Sequence, residues 1–386
     1  MRAVHIVLNS FENDSRVLRA ATAGLDIFDE VHVYALHDEN LPLHETEKGV
    51  SVHRFRLRSR HWSKAAWIQA AKYAELLGRM VVSGARLQPS VVHAHDVHGL
   101  IIGYCISRLT GARLIYDSHE YWADVQGYRD LPRPFVRAFL AAQSTLSRRS
   151  DAVITVCQGI ADRLRKEIGL ARVDVIRNTP FKWCVANSDL RLRRELGIDE
   201  KALLILYQGG VTSGRGVERL LSAFIKAELT DSVLVFMGNG HLADGLRARA
   251  TESSARDRVY VIDAVRPDVL PCYTSDADVG VLPLEPLCES YNLALPNKLF
   301  EYLQGELAIV SSDLPEIARV IAEDGVGCTY PHDSTDALAS ILERLASNPQ
   351  LVREYKAAAA RCRERYCWEN ERNGLLDIYR RVLRAS

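Results

Sequence analysis

Short apolar runs alternate with longer segments of helical period along the first 180 residues of the chain. The segments Val97–Leu109 and Gln158–Ile168 show the helical period clearly. This alternation predicts a parallel sheet with helices on both faces. The predicted strands are Ala3–Leu8, Val31–Leu36, Val50–Leu57, Val91–His95, Arg113–Asp117, Ala152–Val156 and Val173–Ile176.

The alternation pauses after Asn178-Thr-Pro180 and then restarts. Proline and polar residues mark a turn there, so we place a domain boundary at residue 180. The pattern thus predicts two similar α/β halves, 1–180 and 181–366, and a last segment, 367–386, within a helix over Arg363–Arg384. The strands predicted for the second half are Leu203–Tyr207, Val233–Met237, Val259–Ile262, Val279–Leu282 and Ala308–Ser311.

Composition narrows the class of protein. Lys+Arg and Asp+Glu both number 49, so no net charge argues for a nucleic-acid partner. No apolar run approaches the roughly 18 residues of a membrane span, and the chain opens directly into a strand instead of a signal peptide. The eight cysteines form no Cys-x-x-Cys pair and are interpreted as buried thiols of a reducing cytoplasm.

The stretch 289–304 predicts a loop that becomes a helix at about Pro296. Asn297 and Glu301 lie four residues apart and share one helix face. The helix start offers unpaired N–H groups to a phosphate, and Glu301 is placed to accept hydrogen bonds from a nearby ribose. An amphipathic helix with a solvated glutamate is the alternative.

A glycine-rich loop, Gln208 to Gly216, follows the first strand of the second half. The glycines at 209 and 210 let backbone N–H groups approach phosphate oxygens, and Arg215 adds a forked cation. The alternative is an ordinary turn.

Polar residues also follow strands of the first half. Asp14 precedes a helix and is read either as a ligand or as an N-cap beside a surface Arg16. His93 and His95 face the same way on a strand, but no second ligand cluster has metal-site spacing, so no metal is predicted. Asp276 and Asp278 open a strand and are likewise not assigned a metal.

Several motifs in order resemble family-four retaining glycosyltransferases of the GT-B fold. They are Asn297-Lys-Leu-Phe-Glu-Tyr-Leu303, the glycine-rich loop, Gly238-Asn-Gly240 and Tyr366-Cys-Trp-Glu369. The resemblance implies two Rossmann-like domains facing across a cleft, with the last helix crossing back to the first. It also implies an acceptor-binding first domain and a second domain that binds the nucleotide-sugar.

The resemblance assigns roles to single residues. Glu301 matches the second glutamate of the donor motif, whereas Leu293 stands where the first would be; Glu285 or Glu289 could compensate. Arg215 matches the second cation of the glycine loop, and Gly210 stands at the first. His119, at a strand end, would contact the donor sugar. Asp14, Val265, Leu295 and Asn297 would line the substrates, and Lys298 is a weaker phosphate candidate with a side chain directed at solvent.

The implied reaction moves a hexose from a nucleotide-sugar, expected to be UDP-linked, to a hydroxyl acceptor with retention. It needs no metal, cofactor or protein base. The acceptor would be a lipid-linked sugar or a small molecule, in cell-surface glycan or glycoconjugate synthesis. There are two alternative hypotheses, a nucleotide-sugar epimerase and a catalytically silent partner subunit. The second arises because Leu293 and Gly210 replace polar groups.

Residues 54–80 combine basic side chains with tryptophans. A helix of this kind can lie on an anionic membrane surface, which would place a cytoplasmic protein on the inner face of the membrane. A core-facing helix with snorkelling cations is the alternative. The basic residues are Arg54, Arg56, Arg58, Arg60, Lys64, Lys72 and Arg79.

Overall fold

The computed structural model describes residues 1–12, 14–63, 65–125, 127, 132–184 and 191–384. The chain divides into two units. Unit 1 comprises Met1–Arg177 together with Arg372–Ser386, and unit 2 comprises Asn178–Glu371. Each unit is an α/β domain built on a mostly or wholly parallel sheet, as the alternating sequence pattern predicted.

Unit 1 is built on an eight-stranded sheet in the order β3-β4-β2-β1-β5-β6-β7-β8. Its strands are β1 (Arg2–Ile6), β2 (Glu30–Leu36), β3 (His44–Glu47), β4 (Val50–Phe55), β5 (Val91–His95), β6 (Arg113–Ser118), β7 (Ala152–Thr155) and β8 (Asp174–Val175). Its helices are α1 (Ser15–Gly24), α2 (Ala66–Leu87), α3 (Asp96–Thr110), α4 (Arg133–Ser147) and α5 (Gln158–Ile168), with a 3₁₀ turn at Trp122–Asp124.

The central strands of unit 1 are buried along their length because helices cover the sheet. The strand β3 was not predicted. It pairs antiparallel with β4 at the sheet edge, and its sequence, His-Glu-Thr-Glu, is polar throughout. A polar edge strand has no apolar run to reveal it.

Unit 2 is built on a six-stranded parallel sheet in the order β11-β10-β9-β12-β13-β14. Its strands are β9 (Leu203–Gln208), β10 (Ser232–Met237), β11 (Val259–Ile262), β12 (Val279–Leu282), β13 (Ala308–Ser312) and β14 (Gly327–Tyr330). Its helices are α6 (Arg191–Leu196), α7 (Val217–Lys226), α8 (Ala243–Thr251), α9 (Leu270–Thr274), α10 (Glu289–Asn292), α11 (Asn297–Gln304), α12 (Pro315–Asp324), α13 (Thr335–Ser347) and α14 (Pro349–Cys362).

The final helix, α15, covers Trp368–Arg384, and its residues from Arg372 onward belong to unit 1. The ring of Tyr379 meets Phe28 edge-on at 5.4 Å between centroids. Arg381 pairs with Asp174. The predicted return of the last helix to the first domain is therefore confirmed, although the helix begins at residue 368 and not at 363.

The eight cysteines are all free thiols. The expectation that they are buried is wrong for Cys184, which is exposed, and only partly right for Cys105, Cys272 and Cys328. Among the described residues, no helix combines the length and apolar character needed to cross a membrane.

Candidate functional site

The glycine-rich loop of unit 2 begins where β9 ends. Gly209 has φ = +116°, a left-handed conformation that favours glycine. A Cβ atom on Gly238 would lie 1.9 Å from the carbonyl oxygen of Gly209, so the turn after β10 must carry glycine to let this loop pass. The N–H of Gly209 donates to the carbonyl of Met237 at 2.9 Å. That amide was expected to bind phosphate, and the structure shows that it already has a partner.

Lys298 lies against this loop, contrary to the expectation that it points to solvent. Its Nζ is 4.2 Å from the centroid of the Tyr207 ring and 3.3 Å from where a Cβ atom on Gly209 would stand. The amine is shielded from solvent and has no hydrogen-bond partner among the described residues. Burial, reinforced by the charge of Arg215, lowers the pKa of Lys298 to about 7. A desolvated, unpaired amine of this kind is a ready anion ligand.

Arg215 follows Gly214 in the same loop. Its guanidinium lies 5.2 Å from the ring centroid of Tyr291, and its peptide N–H donates to the carbonyl of Thr212 at 3.2 Å. The hydroxyl of Tyr207 donates to the carbonyl of Gly210 at 2.6 Å. This bond fixes the loop backbone between Gly209, which lies beside Lys298, and Arg215. The loop therefore presents an arginine and a lysine, although only the arginine was expected there.

The helix α11 begins at Asn297, one residue after the predicted start, and Pro296 is its N-cap and not a residue of its first turn. Glu301 is partly buried and accepts a 2.5 Å hydrogen bond from Nε2 of Gln208. Gln208 is held in turn by Thr274, whose hydroxyl donates to Oε1 at 2.7 Å. Gln208 had no predicted role, because an amide before a glycine carries no recognisable motif.

The remaining residues expected around the nucleotide differ in their burial and in their hydrogen-bond partners. Leu295 and Leu293 are buried, so neither presents a polar side chain, and Leu293 fills the place of the absent first glutamate with apolar surface. Glu285 pairs with Arg219 at 3.1 Å, and Glu289 accepts from the Asn292 amide at 3.1 Å. Both possible substitutes for that glutamate thus have partners within the unit.

Val265 follows β11 and is partly buried. The adjacent N–H of Ala264 donates to Oδ1 of Asn239 at 3.1 Å, which joins the end of β11 to the turn after β10. Asp276 and Asp278 both pair with Arg193, at 3.3 and 2.7 Å. These carboxylates serve an ion-pair network at the start of β12.

In unit 1, Asp14 caps α1: its carboxylate accepts from the N–H of Val17 at 3.1 Å and from the Asn9 amide at 2.7 Å. The structure therefore shows the N-cap geometry. The companion expectation of a surface arginine is wrong, because Arg16 is buried and forms a two-point ion pair with Asp117 at 2.7 and 3.2 Å.

His119 lies just beyond the end of β6, and 21% of its side chain is exposed. Its Nε2 is 3.1 Å from Nδ1 of His95 and 3.4 Å from Asp117, while its Nδ1 is 3.6 Å from Asp96. Burial opposes the charged form, but the carboxylates of Asp96 and Asp117 outweigh it and raise the pKa of His119.

Two groups of possible metal ligands occur among the described residues, although none with suitable spacing was visible in the sequence. They are His5 with His93 and His95, and His95 with Asp117 and His119. The rings of His93 and His95 stack 4.5 Å apart at 14°, which confirms that they face the same way. In the first group the His5 and His95 rings are also nearly parallel, at 19°, so neighbouring nitrogens of these rings are placed side by side.

The basic segment 54–80 is less exposed than expected. Arg54 is buried, donates to the carbonyls of Ser10 and Pro42, and pairs with Glu45. Met80 of α2 packs into the core, whereas Trp62 is 57% exposed. The core-facing alternative thus holds for the buried side of α2, and an exposed tryptophan remains beside it. Lys64 lies outside the described residues.

Comparison with known proteins identifies the family. A sequence profile described as "Glycosyl transferase 4-like domain" matches residues 15–179, and one described as "Glycosyl transferases group 1" matches residues 202–348. The alpha-maltose-1-phosphate synthase of Mycolicibacterium smegmatis is 26% identical over 326 residues, which cover 76% of this chain and 79% of that protein.

Solved structures agree with this assignment at the level of the fold. Sucrose-phosphate synthase from Thermosynechococcus elongatus superposes with a TM-score of 0.80 at 16% identity, over 100% of both chains. Anabaena HepE in complex with UDP superposes with a TM-score of 0.74 at 15% identity, over 98% of this chain and 99% of that chain. With its two α/β units and returning helix, the chain belongs to the family-four glycosyltransferases of the GT-B fold.

Proposed function

We propose that this glycosyltransferase moves a hexose from a UDP-linked donor to a hydroxyl acceptor with retention of anomeric configuration. The observation that carries the proposal is the pair of cations at the glycine loop, Arg215 and the desolvated Lys298. A diphosphate is the ligand that best matches two adjacent cations and a glycine turn.

Departure of the diphosphate is the step that these residues would assist. Cleavage at the anomeric carbon leaves negative charge on the diphosphate, and preorganised cations lower the energy of that charge without reorganising. Lys298 is suited to this role because a phosphate oxygen would supply the hydrogen-bond partner that its amine lacks. Arg215 would provide a second, forked contact.

Lys298 also accounts for the missing cation of the loop. The resemblance placed a basic residue at position 210, where this chain has glycine. The Nζ of Lys298 reaches the adjacent residue, Gly209, from α11. A charge delivered by a different element would thus replace the one that the loop lost, which weakens the case for a catalytically silent subunit.

Glu301 would bind the ribose of the nucleotide. Gln208 holds one of its oxygens at 2.5 Å, so the carboxylate has a fixed orientation when a ligand arrives. A preoriented carboxylate can accept two hydroxyl hydrogen bonds at low entropic cost. UDP is the preferred nucleotide because the Anabaena HepE structure contains it.

His119 would contact the donor sugar, and attack would occur on the face from which the diphosphate departs. We propose that no metal and no cofactor takes part. Asp276 and Asp278 are engaged by Arg193, which leaves them poorly placed to serve as metal ligands. Activity should accordingly survive EDTA, and a loss that manganese restores would refute the metal-free mechanism.

The decisive experiment is product analysis. The protein is incubated with UDP-sugars and a panel of hydroxyl acceptors, and the linkage is assigned by NMR coupling constants. An α-linked product from an α-linked donor, formed by the wild type and lost in Arg215→Ala, supports the proposal. A β-linked product would refute retention, and donor isomerisation without any acceptor would identify an epimerase instead.

We further propose a lipid-linked sugar or small-molecule acceptor at unit 1 and a cytoplasmic location, with peripheral contact to an anionic membrane through residues 54–80. Trp62 and the exposed Arg56 and Arg58 support the membrane contact. Co-sedimentation with vesicles containing 30% anionic lipid tests it, an amount chosen to give about the surface charge that attracts basic segments. Equal binding by wild type and a Trp62→Ser, Arg56→Ser variant would refute it.

A further inference from the structure

A cavity of about 670 Å³ opens on unit 1 beside the edge strands β3 and β4. Its walls come from the β3–β4 hairpin, the loop that follows β4 and the second half of α2. The volume is that of a small-molecule site, for which roughly 300–1,000 Å³ is usual. Four arginines and three histidines line the cavity, and none of the described residues that line it carries a carboxylate.

The positive charge of this cavity is only partly compensated. Arg54 pairs with Glu45 at 2.5 Å, so its charge is balanced. Arg56 and Arg58 are exposed, and their guanidinium groups form no hydrogen bond or ion pair with any residue that the structure describes. A cleft lined by charge of one sign concentrates ions of the opposite sign, so the cavity attracts an anion.

The loop that carries these two arginines is fixed to α2. The carboxylate of Glu75 accepts from the N–H groups of Arg58 at 2.8 Å and Ser59 at 3.1 Å. Arg79, whose own charge is partly balanced by Glu75 at 3.7 Å, donates to the carbonyl of Arg56. The backbone of residues 56–58 is therefore held in place before a ligand arrives, which lowers the entropic cost of binding.

Two of the lining histidines face each other across the hairpin. His44 and His53 are paired in the antiparallel register, and their Nδ1 atoms lie 3.2 Å apart. Nε2 of His53 lies 3.0 Å from Nδ1 of His32. Burial, reinforced by the charges of His32 and His44, lowers the pKa of His53 to about 4. This ring is neutral near pH 7, so the fixed positive charge of the cavity comes from its arginines.

The cavity also has an apolar part, formed by Leu43, Phe55 and Leu57. Leu43 is 45% exposed. A bare inorganic anion gains nothing from these side chains, whereas the organic part of an ester would remove them from water. Guanidinium groups bind phosphate oxygens through paired N–H bonds, and a phosphomonoester offers three such oxygens and nearly two negative charges. The lining thus matches an organic phosphate that is esterified once.

We propose that this cavity is a binding site for an organic phosphate monoester, with Arg56 and Arg58 on the phosphate and the three apolar side chains against the organic part. A soluble ester and a lipid headgroup share this chemistry. The site goes beyond the proposed membrane contact of residues 54–80, because a flat anionic surface attracts exposed cations by charge alone, whereas a cavity selects among anions. It does not depend on transfer activity.

Glycerol 3-phosphate and phosphatidic acid are matched probes because they carry the same phosphomonoester on glycerol. Calorimetry with the full chain measures binding of glycerol 3-phosphate. Co-sedimentation compares phosphatidic acid vesicles with phosphatidylglycerol vesicles of equal zeta potential. Binding of glycerol 3-phosphate supports the site with a soluble ester as ligand, and a preference for phosphatidic acid alone supports it with a lipid headgroup. No binding of glycerol 3-phosphate, together with equal binding of the two vesicles, overturns the proposal.

A pair of double variants makes the test specific. Arg56→Ser with Arg58→Ser should weaken the binding at least about tenfold, because charge-assisted hydrogen bonds are lost. The matched control, Arg108→Ser with Arg149→Ser, removes the same charge from a second cavity of unit 1, of about 610 Å³, where Asp151 supplies a carboxylate. The control should bind as the wild type does. Equal weakening in the two double variants would show a general effect of charge and overturn the site.

Arg215→Ala separates this site from the glycine loop of unit 2, which is also proposed to bind phosphate. The variant should keep its affinity for glycerol 3-phosphate, and a loss there would assign the ester to the glycine loop and overturn the proposal. Failure of the proposed membrane contact would show differently, as binding of glycerol 3-phosphate without binding to either vesicle, which still supports the site. Failure of the proposed transfer reaction would show as absent product with this binding retained.

Discussion

Lys298 should make donor binding depend on pH near neutrality. Its amine is buried against Tyr207 without a hydrogen-bond partner among the described residues, and its pKa is lowered to about 7. Only the protonated amine can stabilise a diphosphate by charge, so the free protein must take up a proton whenever it binds donor above that pH.

The size of the effect follows from the fraction of protein already protonated. With a pKa of about 7, that fraction is roughly 0.9 at pH 6 and roughly 0.1 at pH 8. If the protonated form alone binds well, affinity falls about tenfold across this interval, or about 1.4 kcal/mol. At pH 7.5 binding should take up about three quarters of a proton.

Calorimetry with UDP-glucose measures both quantities. A nucleotide-sugar is preferable to UDP because its diphosphate carries no terminal group that titrates near pH 6 and would oppose the trend. Titrations at pH 6, 7 and 8 give the affinity, and titrations at pH 7.5 in two buffers of different ionisation enthalpy give the proton uptake.

Two variants make the test specific. Lys298→Met should bind UDP-glucose weakly at all three pH values, without the tenfold change in affinity. Lys201→Met, at an exposed position of the same unit, should bind it as the wild type does. A flat wild-type profile, or one that Lys298→Met retains, would show that Lys298 does not meet the diphosphate.

Three further predictions concern other residues. Arg215→Ala should lower kcat by about 10²-fold or more in steady-state assays, as loss of a charge stabiliser does. Near-normal turnover would exclude this role for Arg215. Glu301→Ala should weaken UDP binding roughly tenfold by calorimetry with little change in kcat, and Gln208→Leu should do so to a smaller extent. Burial lowers the pKa of His93 to about 4, so the wild type loses stability as pH falls from 6.5 towards 4. The stability difference between wild type and His93→Gln in urea unfolding should accordingly shrink by about 2 kcal/mol between pH 7.5 and pH 5; an unchanged difference would refute this.

The fold could be read from the sequence where burial dictates composition. Central strands such as β5 and β12 are apolar because helices cover both faces of a parallel sheet, and both were predicted with their observed bounds. The strands missed, β3 and β14, lie at sheet edges, where only one side is paired and the apolar signal weakens. The start of α15 was predicted at Arg363, five residues before its observed start at Trp368.

The site was predictable only where a local motif carries it. Arg215 and Glu301 each belong to a motif and were named. The contact of Lys298 with Gly209 joins residues far apart in the chain, and a solvent-facing lysine was expected instead. The hydrogen bond of Gln208 to Glu301 is likewise a product of the tertiary fold, which no spacing along the chain encodes.

On the proposed function, Lys298 would supply the positive charge that the glycine loop lacks at position 210. A departing diphosphate requires a positive charge at a particular position beside the loop backbone. Any residue whose side chain reaches that position can supply the charge. Gly209 has no side chain, and the amine of Lys298 on α11 lies in the space beside its backbone, next to the ring of Tyr207. The arrangement has a cost, since a lysine whose pKa is lowered in the folded state binds fewer protons than in the unfolded state and reduces stability below pH 10. On the proposed function, an anion bound at the glycine turn would offset this cost by pairing with the amine.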